Sequence, residues 1–474
     1  MIDETGSSPL VVLGAGPGGY AAAFMAADLG LQVTLIDEEE NPGGVCLYRG
    51  CIPSKTLLHA VGVLEDARRA ARWGMEFSEP RLDLEKLRGF RDEVVTRLTG
   101  GLGQLARQRS VGYLRGRASF ADARTLKVAK PDGGEETLAF GKAILATGSR
   151  PASLPGLSLE SPRLWDASAA LALREIPESL LVVGGGYIGL EMGSVYAALG
   201  SRVTVVEMTA GLLPGVDRDL VSPLARRLEK LFLAIRLNTR VVSLEEEAGG
   251  IRAQFEGGGE LDAGAVYQAV LVSVGRKPNS DLPGLEKTRV ELDRRGFIKV
   301  DERRRTADPD IFAIGDVAGE PMLAHKATHE GRVAAEVIAG RKVAFEPRAV
   351  PAIVFTDPEV AWCGLTETGA REQGRTVKVA RFPWAASGRA LTLDRPDGVT
   401  KLVLDPASGQ VLGMGVVGSG AGELISEGVL AVEMGALASD VMLSIHPHPT
   451  LSETIMEAAE AFLGESTHIY RKRG

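Results

Sequence analysis

Cys46 and Cys51 stand with four residues between them in GGVCLYRGCIPSK, around a loop that holds Gly50 and just ahead of Pro53 and Lys55. A metal site would need two more Cys or His ligands nearby, and this segment offers none. The pair reads instead as a short, constrained disulfide that opens and closes, because strained disulfides are the reducible ones. Two buried free thiols are the plain alternative. Cys363, after Trp362 in an apolar segment, reads as a packed core thiol. Three cysteines in 474 residues are too few to staple a chain of this size, which fits a reducing, cytoplasmic setting.

The elements around such a pair come from an internal repeat. From Leu10, LVVLGAGPGGYAAAFMAADLGLQVTLID reads as a buried strand, a glycine turn, an Ala-rich helix closed by Gly30, and a second strand ending in Asp37. From Leu180, LLVVGGGYIGLEMGSVYAALGSRVTVVE repeats the order and ends in Glu207. Gly14, Gly16 and Gly19 in the first copy correspond to Gly184, Gly186 and Gly189 in the second, and each acid follows its third glycine by 18 residues. Glycines in this spacing allow a tight turn and close approach of a pyrophosphate to a helix N-terminus, while the acid reaches a ribose hydroxyl. Strand, spacing, helix stop and acid recur together, so the chain is expected to bind two dinucleotides.

The rest of the chain organises around these copies. Residues 52 to 108 read as largely helical, followed by short strands such as TLKVAK. AILATGSRP around Gly148 and LVSVGRKPN around Gly275 look like strand ends returning to a nucleotide, with Pro151 and Pro278 marking domain crossings. After Ala349 the pattern becomes mixed α+β. The runs Glu38 to Glu40, Glu245 to Glu247 and Arg303 to Arg305 read as solvated surface. The net charge of −8 argues against nucleic acid as a partner. No apolar stretch approaches the roughly 18 to 20 residues of a membrane helix, and the polar first ten residues show no secretory or transit segment.

GAGPGG, GGVCxxxGCIPSK, GGGYIGLE, FAIGDVAG, MLAHKATHEG, FTDPEVAWCGLTE, FPWAASGRA and HPHPTLSE follow one another over essentially the whole length. With these motifs the chain resembles the FAD-dependent pyridine nucleotide disulfide oxidoreductases, most closely those members that oxidise dihydrolipoamide. The resemblance implies an α/β fold of two Rossmann-like dinucleotide-binding domains plus a C-terminal α+β dimerisation domain. It divides the chain into an FAD-binding first part (1–151), an NAD-binding domain (152–278), a central domain completing the FAD site (279–349) and a dimerisation domain (350–474). FAD and NAD are the implied cofactors, with no metal. The implied partners are a second copy of the chain and dihydrolipoamide carried on the lipoyl domain of an acyltransferase or on the H-type protein of glycine cleavage.

The same resemblance assigns roles. Cys51 faces the flavin as a charge-transfer thiolate and Cys46 exchanges with the substrate. Lys55 and Glu191 form a buried pair beside the flavin, and Tyr187 covers the nicotinamide pocket. Asp316 holds the ribityl chain, Ala324 begins a helix aimed at the flavin, and Ala118 and Val241 join the cofactor contacts. His448 is the acid/base and Glu453 its orienting carboxylate, as a thiol attacking a disulfide must first lose its proton; His446 has no such role. Two departures, Tyr48-Arg49 for the frequent Asn-Val and Ala118 where a glycine can occur, remove no reacting group. Electrons are then expected to pass from dihydrolipoamide through the cysteine pair and FAD to NAD+, with Glu207 repelling a 2′-phosphate. An NADPH-dependent relative reducing glutathione, mercury or another disulfide would carry arginines near Glu207 or an extra terminal cysteine pair. Met208, Thr209 and the tail ESTHIYRKRG supply neither. A non-catalytic flavoprotein scaffold or sensor, a reading of another class, would have no need of both cysteines, His448 and Glu453.

Overall fold

Each glycine-loop segment forms the centre of its own parallel sheet in the computed structural model, which describes residues 9–78, 80–152, 159–257 and 265–470. Residues 1–8 of the polar N-terminal stretch and the last four of the tail, 471–474, lie outside these. The first sheet runs Ile311–Ala313, Lys142–Leu145, Leu10–Leu13, Val33–Asp37, Gly112–Arg115, and the second Ala234–Arg236, Arg202–Val206, Ser179–Val183, Ala269–Val272, Leu164–Trp165. All their pairings are parallel. The repeat extends to register: Leu10 lies opposite Val33, and Leu180 opposite Val203. Continuous Val and Leu runs suit strands covered on both faces.

The helix Pro17–Asp28 buries Gly18, Gly19, Ala22, Ala23 and Ala26, a face of small side chains. Against it packs Ala324–Ile338, so closely that a Cβ on Gly331 would lie 2.5 Å from the Gly18 carbonyl oxygen. That crossing brings the start of the second helix beside the first glycine loop. The stretch expected to be helical is interrupted: helices Cys51–Ala70 and Leu84–Gln108 flank a short 3₁₀ turn, Ala71–Trp73. Gly74, at φ 82°, ends the first segment in the left-handed region, and Pro80 follows.

Among the described residues three smaller antiparallel sheets attach to the two parallel ones, one of them the pair Ser149–Pro151 and Arg276–Pro278 that carries the chain between the units. The C-terminal unit is a five-stranded antiparallel sheet, ordered Ala352–Val354, Glu359–Gly364, Val411–Gly418, Val399–Leu404, Lys378–Pro383. Helices Ala421–Met434 and Glu453–Leu463 share its core with Trp384, Phe382 and Cys363, whose thiol burial pushes up to about 12. Lys401 fastens this unit to the second dinucleotide unit, donating to Asp217 and Asp219 at 2.7 Å each and to Glu367 at 2.8 Å. Among the described residues these three carboxylates are the one group close enough to hold a metal, and the Lys401 ammonium already sits among them. Among the described residues no helix is long and apolar enough to cross a membrane.

Candidate active site

Cys46 lies in the short helix Gly44–Arg49, and Cys51 is the first residue of the helix Cys51–Ala70. A Cβ on Gly50, between them, would fall 2.8 Å from the Val45 carbonyl oxygen and 3.2 Å from the Cys46 Cα, so glycine is what lets the second helix begin against the first. Both residues are free thiols here, hydrogen-bonded to each other. That bond, then burial, pushes the Cys46 thiol far up. The same bond holds Cys51 down at about 7, with the Lys55 charge acting alongside it against burial and Glu191. A helix N-terminus also favours a thiolate. The reduced pair therefore carries its negative charge on Cys51 and its proton on Cys46.

One turn further on, Lys55 Nζ donates to the Glu191 carboxylate at 3.1 and 2.8 Å. Glu191 is only 3% exposed and also accepts the Phe355 N–H at 3.0 Å, while Nζ lies 4.4 Å from the Phe355 ring centre. Glu191 belongs to the helix Tyr187–Ala198, so this ion pair ties the cysteine helix to the second glycine unit.

Both cysteines open onto a cavity of about 800 Å³, near the top of the range of roughly 300 to 1,000 Å³ usual for ligand sites. Gly14, Gly16, Asp37, Ala118 and Gly148 line it from the first unit, and Tyr187, Asp316 and Ala324 from elsewhere in the chain. Gly14 has φ 96°, and a Cβ there would meet the Ala146 carbonyl oxygen at 2.3 Å; Gly19 packs as tightly against Gly14, 1.8 Å from its oxygen on the same measure. The helices starting at Pro17 and Ala324 have no side-chain cap, so their first N–H groups are free for an acceptor. Asp37 accepts the N–H of Ala15 at 2.6 Å and of Glu39 at 3.0 Å, which fixes its carboxylate at the loop. These donors and this volume fit an elongated, phosphate-bearing cofactor such as FAD.

The second loop repeats the arrangement outside that cavity. Gly184 has φ 109°, Gly189 packs 2.2 Å from its oxygen by the Cβ measure, and around Gly186 the space is open. Glu207 accepts the N–H of Gly185 at 2.7 Å and of Thr209 at 2.8 Å. Gly275, at φ 117°, also faces open space, whereas the side chain of Val241 is buried in the core beneath this sheet and leaves only its backbone for a ligand. Tyr187 lines the cavity and is 41% exposed, its phenol pushed up to about 12 chiefly by burial.

Several positioning residues escaped the sequence reading. Asp316 accepts from Ser149 Oγ, which in turn accepts Arg276 Nε at 2.7 Å. Arg304, read above as solvated surface, turns inward to the fully buried Glu330 at 3.1 Å, and Glu330 accepts the Gly315 N–H at 2.6 Å beside Asp316. Glu39 likewise pairs with Arg49. Charge pattern alone gave no sign of these contacts, since each forms only when the fold brings its two segments together.

His448 Nδ1 pairs with Glu453 Oε1 at 2.9 Å, and Glu453 Oε2 accepts the Thr450 N–H at 2.8 Å. Against burial, that N–H and His448 hold the carboxyl below its ordinary value. The imidazole is 75% exposed. His446 is pinned between Glu427 at 2.8 Å and the Ser444 carbonyl at 2.7 Å.

Residues 8–331 match the family model for pyridine nucleotide-disulphide oxidoreductases, and residues 350–459 match that family's dimerisation domain. The chain is 50% identical to a dihydrolipoyl dehydrogenase of Haemophilus influenzae over 97% of its own length and 96% of the relative's. It is 44% identical to one from Geobacillus stearothermophilus, covering 98% and 97%. Among solved structures, LpdA from Mycobacterium tuberculosis superposes with a TM-score of 0.88 at 28% identity, covering 96% of this chain and 99% of that one. The HOCl-induced flavoprotein disulfide reductase RclA from Escherichia coli gives 0.84 at 27%, covering 96% and 99%. The protein is thus an enzyme, an oxidoreductase that uses FAD and NAD. With both parts of its length matched in order, the chain belongs to the pyridine nucleotide-disulphide oxidoreductase family.

Proposed function

We propose that this protein oxidises dihydrolipoamide to lipoamide and reduces NAD+, as a homodimer. The observation that carries the reading is the unequal cysteine pair on a dinucleotide-sized cavity, with Cys51 held at about 7. FAD, when bound along Gly14, Gly16, Asp37, Asp316 and Ala324, supplies the electron acceptor behind the pair, and NAD+ is held by Gly184, Gly186 and Glu207. His448 takes a proton from one substrate thiol. The resulting thiolate attacks Cys46 of the closed disulfide, and the Cys46–Cys51 bond breaks with its electron pair on Cys51. The second substrate sulfur, deprotonated in turn, displaces Cys46, which leaves with a proton as lipoamide closes. Attack at Cys46 is favoured because the sulfur that departs is the one the site stabilises as a thiolate. Lys55, held by Glu191, keeps positive charge beside Cys51, and Glu453 orients the His448 ring.

His448 and Glu453 do not border the cavity of their own chain, and Leu430, Met434, Leu443 and Ile445 lie 62, 75, 73 and 98% exposed on the same unit. Both facts favour a dimer in which the C-terminal unit of one copy completes the site of the other. We also propose the domain divisions 1–151, 152–278, 279–349 and 350–474, a cytoplasmic setting, and lipoyl-bearing acyltransferase or H-type proteins as the source of substrate. A disulfide or metal reductase is the second reading, favoured by the likeness to RclA. Steady-state assays decide between them: NADH formation from dihydrolipoamide and NAD+ should far exceed NADPH-driven reduction of glutathione disulfide or Cu(II), and the reverse order would overturn the assignment.

A further inference from the structure

A second cavity, of about 290 Å³, lies where three parts of the chain meet: the end of the cysteine helix, the helix Arg218–Leu231, and the C-terminal unit. Its wall carries six cations, Arg69, Arg72, Arg226, Arg227, Lys230 and Arg395, against three carboxylates, Asp357, Asp394 and Asp397. Some of this charge is matched. Arg395 grips Asp357 at 2.6 and 2.7 Å and reaches Asp66 at 2.9 Å, Arg72 meets Asp394 at 2.8 Å, and Arg227 meets Glu65 at 2.7 Å.

The remainder is not. Among the described residues Lys230 has no acceptor, and Arg226 bonds only the Ser222 hydroxyl, at 2.8 Å. The two stand at i and i+4 on one exposed helix face, a like-charge spacing that costs a helix stability unless an anion offsets it. Arg69, 15% exposed, lies between Asp66 at 3.6 Å and Asp357 at 3.5 Å, both long contacts. Burial first, and then the neighbouring Arg395, weaken its hold on its proton, with Asp357 and Asp66 opposing.

We propose that this junction is a binding site for a compact phosphate-bearing anion, separate from both dinucleotide loops. Guanidinium forks match phosphate oxygens two at a time, and the partly buried wall strengthens each contact. Arg226 and Lys230 supply the free charge from one side, while Arg69 and Arg72 face them from the cysteine helix and the turn after it.

The test is calorimetric titration of inorganic pyrophosphate into the FAD-loaded dimer saturated with NAD+, so that both dinucleotide loops are filled, with sulfate at matched ionic strength as the reference. Saturable binding at one site per chain is expected, weakened at least tenfold in the Arg226→Ala/Lys230→Ala variant and retained in Arg226→Lys/Lys230→Arg, which keeps the charge. A parallel titration with ATP distinguishes free from nucleotide-borne phosphate, binding of either supporting the site. Absence of saturable binding by both, or equal affinity in the alanine variant, would overturn it. The substituted side chains are exposed and the alanine pair relieves their mutual repulsion, so without ligand the variants should melt no lower than the wild type, which the same samples report.

Discussion

His448 Nδ1 meets Glu453 Oε1 at 2.9 Å, yet neither residue borders the cavity that holds Cys46 and Cys51. The imidazole and the sulfurs it is proposed to serve lie far apart in the chain, one on the loop before the last helix and the others at the helices that follow the first parallel strands. His448→Ala should lower turnover by roughly 10² to 10⁴, the usual worth of a general base. Glu453→Gln, which keeps a hydrogen-bonding oxygen, should lower kcat by less and leave KM for dihydrolipoamide nearly unchanged. A large rise in KM with kcat intact would make the pair a binding element instead.

The cysteines make a second expectation. In the reduced protein freed of flavin, thiolate absorbance should rise through about pH 7, below the roughly 8.5 of an ordinary thiol. Cys51 is the group held down, so the thiolate is present above that pH and lost below it. Cys51→Ser should remove the step, and Lys55→Met should move it upward, because the nearby cation goes. A step that survives in Cys51→Ser would place the charge on Cys46.

Glu207 tests coenzyme choice. Its carboxylate takes the N–H groups of Gly185 and Thr209, so Glu207→Ala leaves two loop donors without an acceptor. NAD+ binding should weaken by about 1 to 3 kcal/mol. Arg236 is carried on the neighbouring strand in register with Val206, so NADP+ should gain relative to NAD+ once the acid is gone. Wild-type protein that uses the two coenzymes equally would contradict the role given to Glu207.

The Lys401 network should be visible in stability. Lys401→Met leaves the buried Asp217 without a cation, while Asp219 and Glu367 keep only Arg381, and breaking a buried pair in this way costs about 3 to 5 kcal/mol, read by urea unfolding. In the intact protein Asp217 sits near 2, burial opposing but Lys401 prevailing. Its folded value is depressed, so the stability it contributes is present above the ordinary carboxylate range and is lost as pH falls toward about 2. A variant within about 0.5 kcal/mol of wild type would mean the network contributes nothing.

Legibility in the sequence followed the range of the interaction. The glycine loops, their helices and the acids Asp37 and Glu207 could be read directly, because a tight turn and a capped loop are settled within about thirty residues. The repeat even carried its register. Lys55 and Glu191 are separated by 136 positions and carry no local signal, so only resemblance paired them. Lys401 lies in VTKLVL, where a lone charge amid apolar residues hints at a buried partner but cannot name Asp217 or Glu367. Arg304 was misread although its partner lies only 26 positions on: a run of arginines looks solvated until the fold brings the buried Glu330 beneath it. The basic junction drew its residues from three segments, and no one of them was unusual alone.

The central claim is that cysteines and base from different copies form one site, and mixed dimers test it most directly. Cys46→Ser lacks the exchanging sulfur and His448→Ala lacks the proton acceptor, so each homodimer should be nearly inactive. When the two chains are unfolded and reassembled together, a mixed dimer has one site with both lesions and one with neither, so random pairing should restore about a quarter of the sites. Lipoamide turnover, measured after confirming chain exchange and bound FAD, is expected to recover to that level. Turnover no greater than the sum of the two parents would contradict the account and put His448 on its own chain's cysteines or outside the reaction.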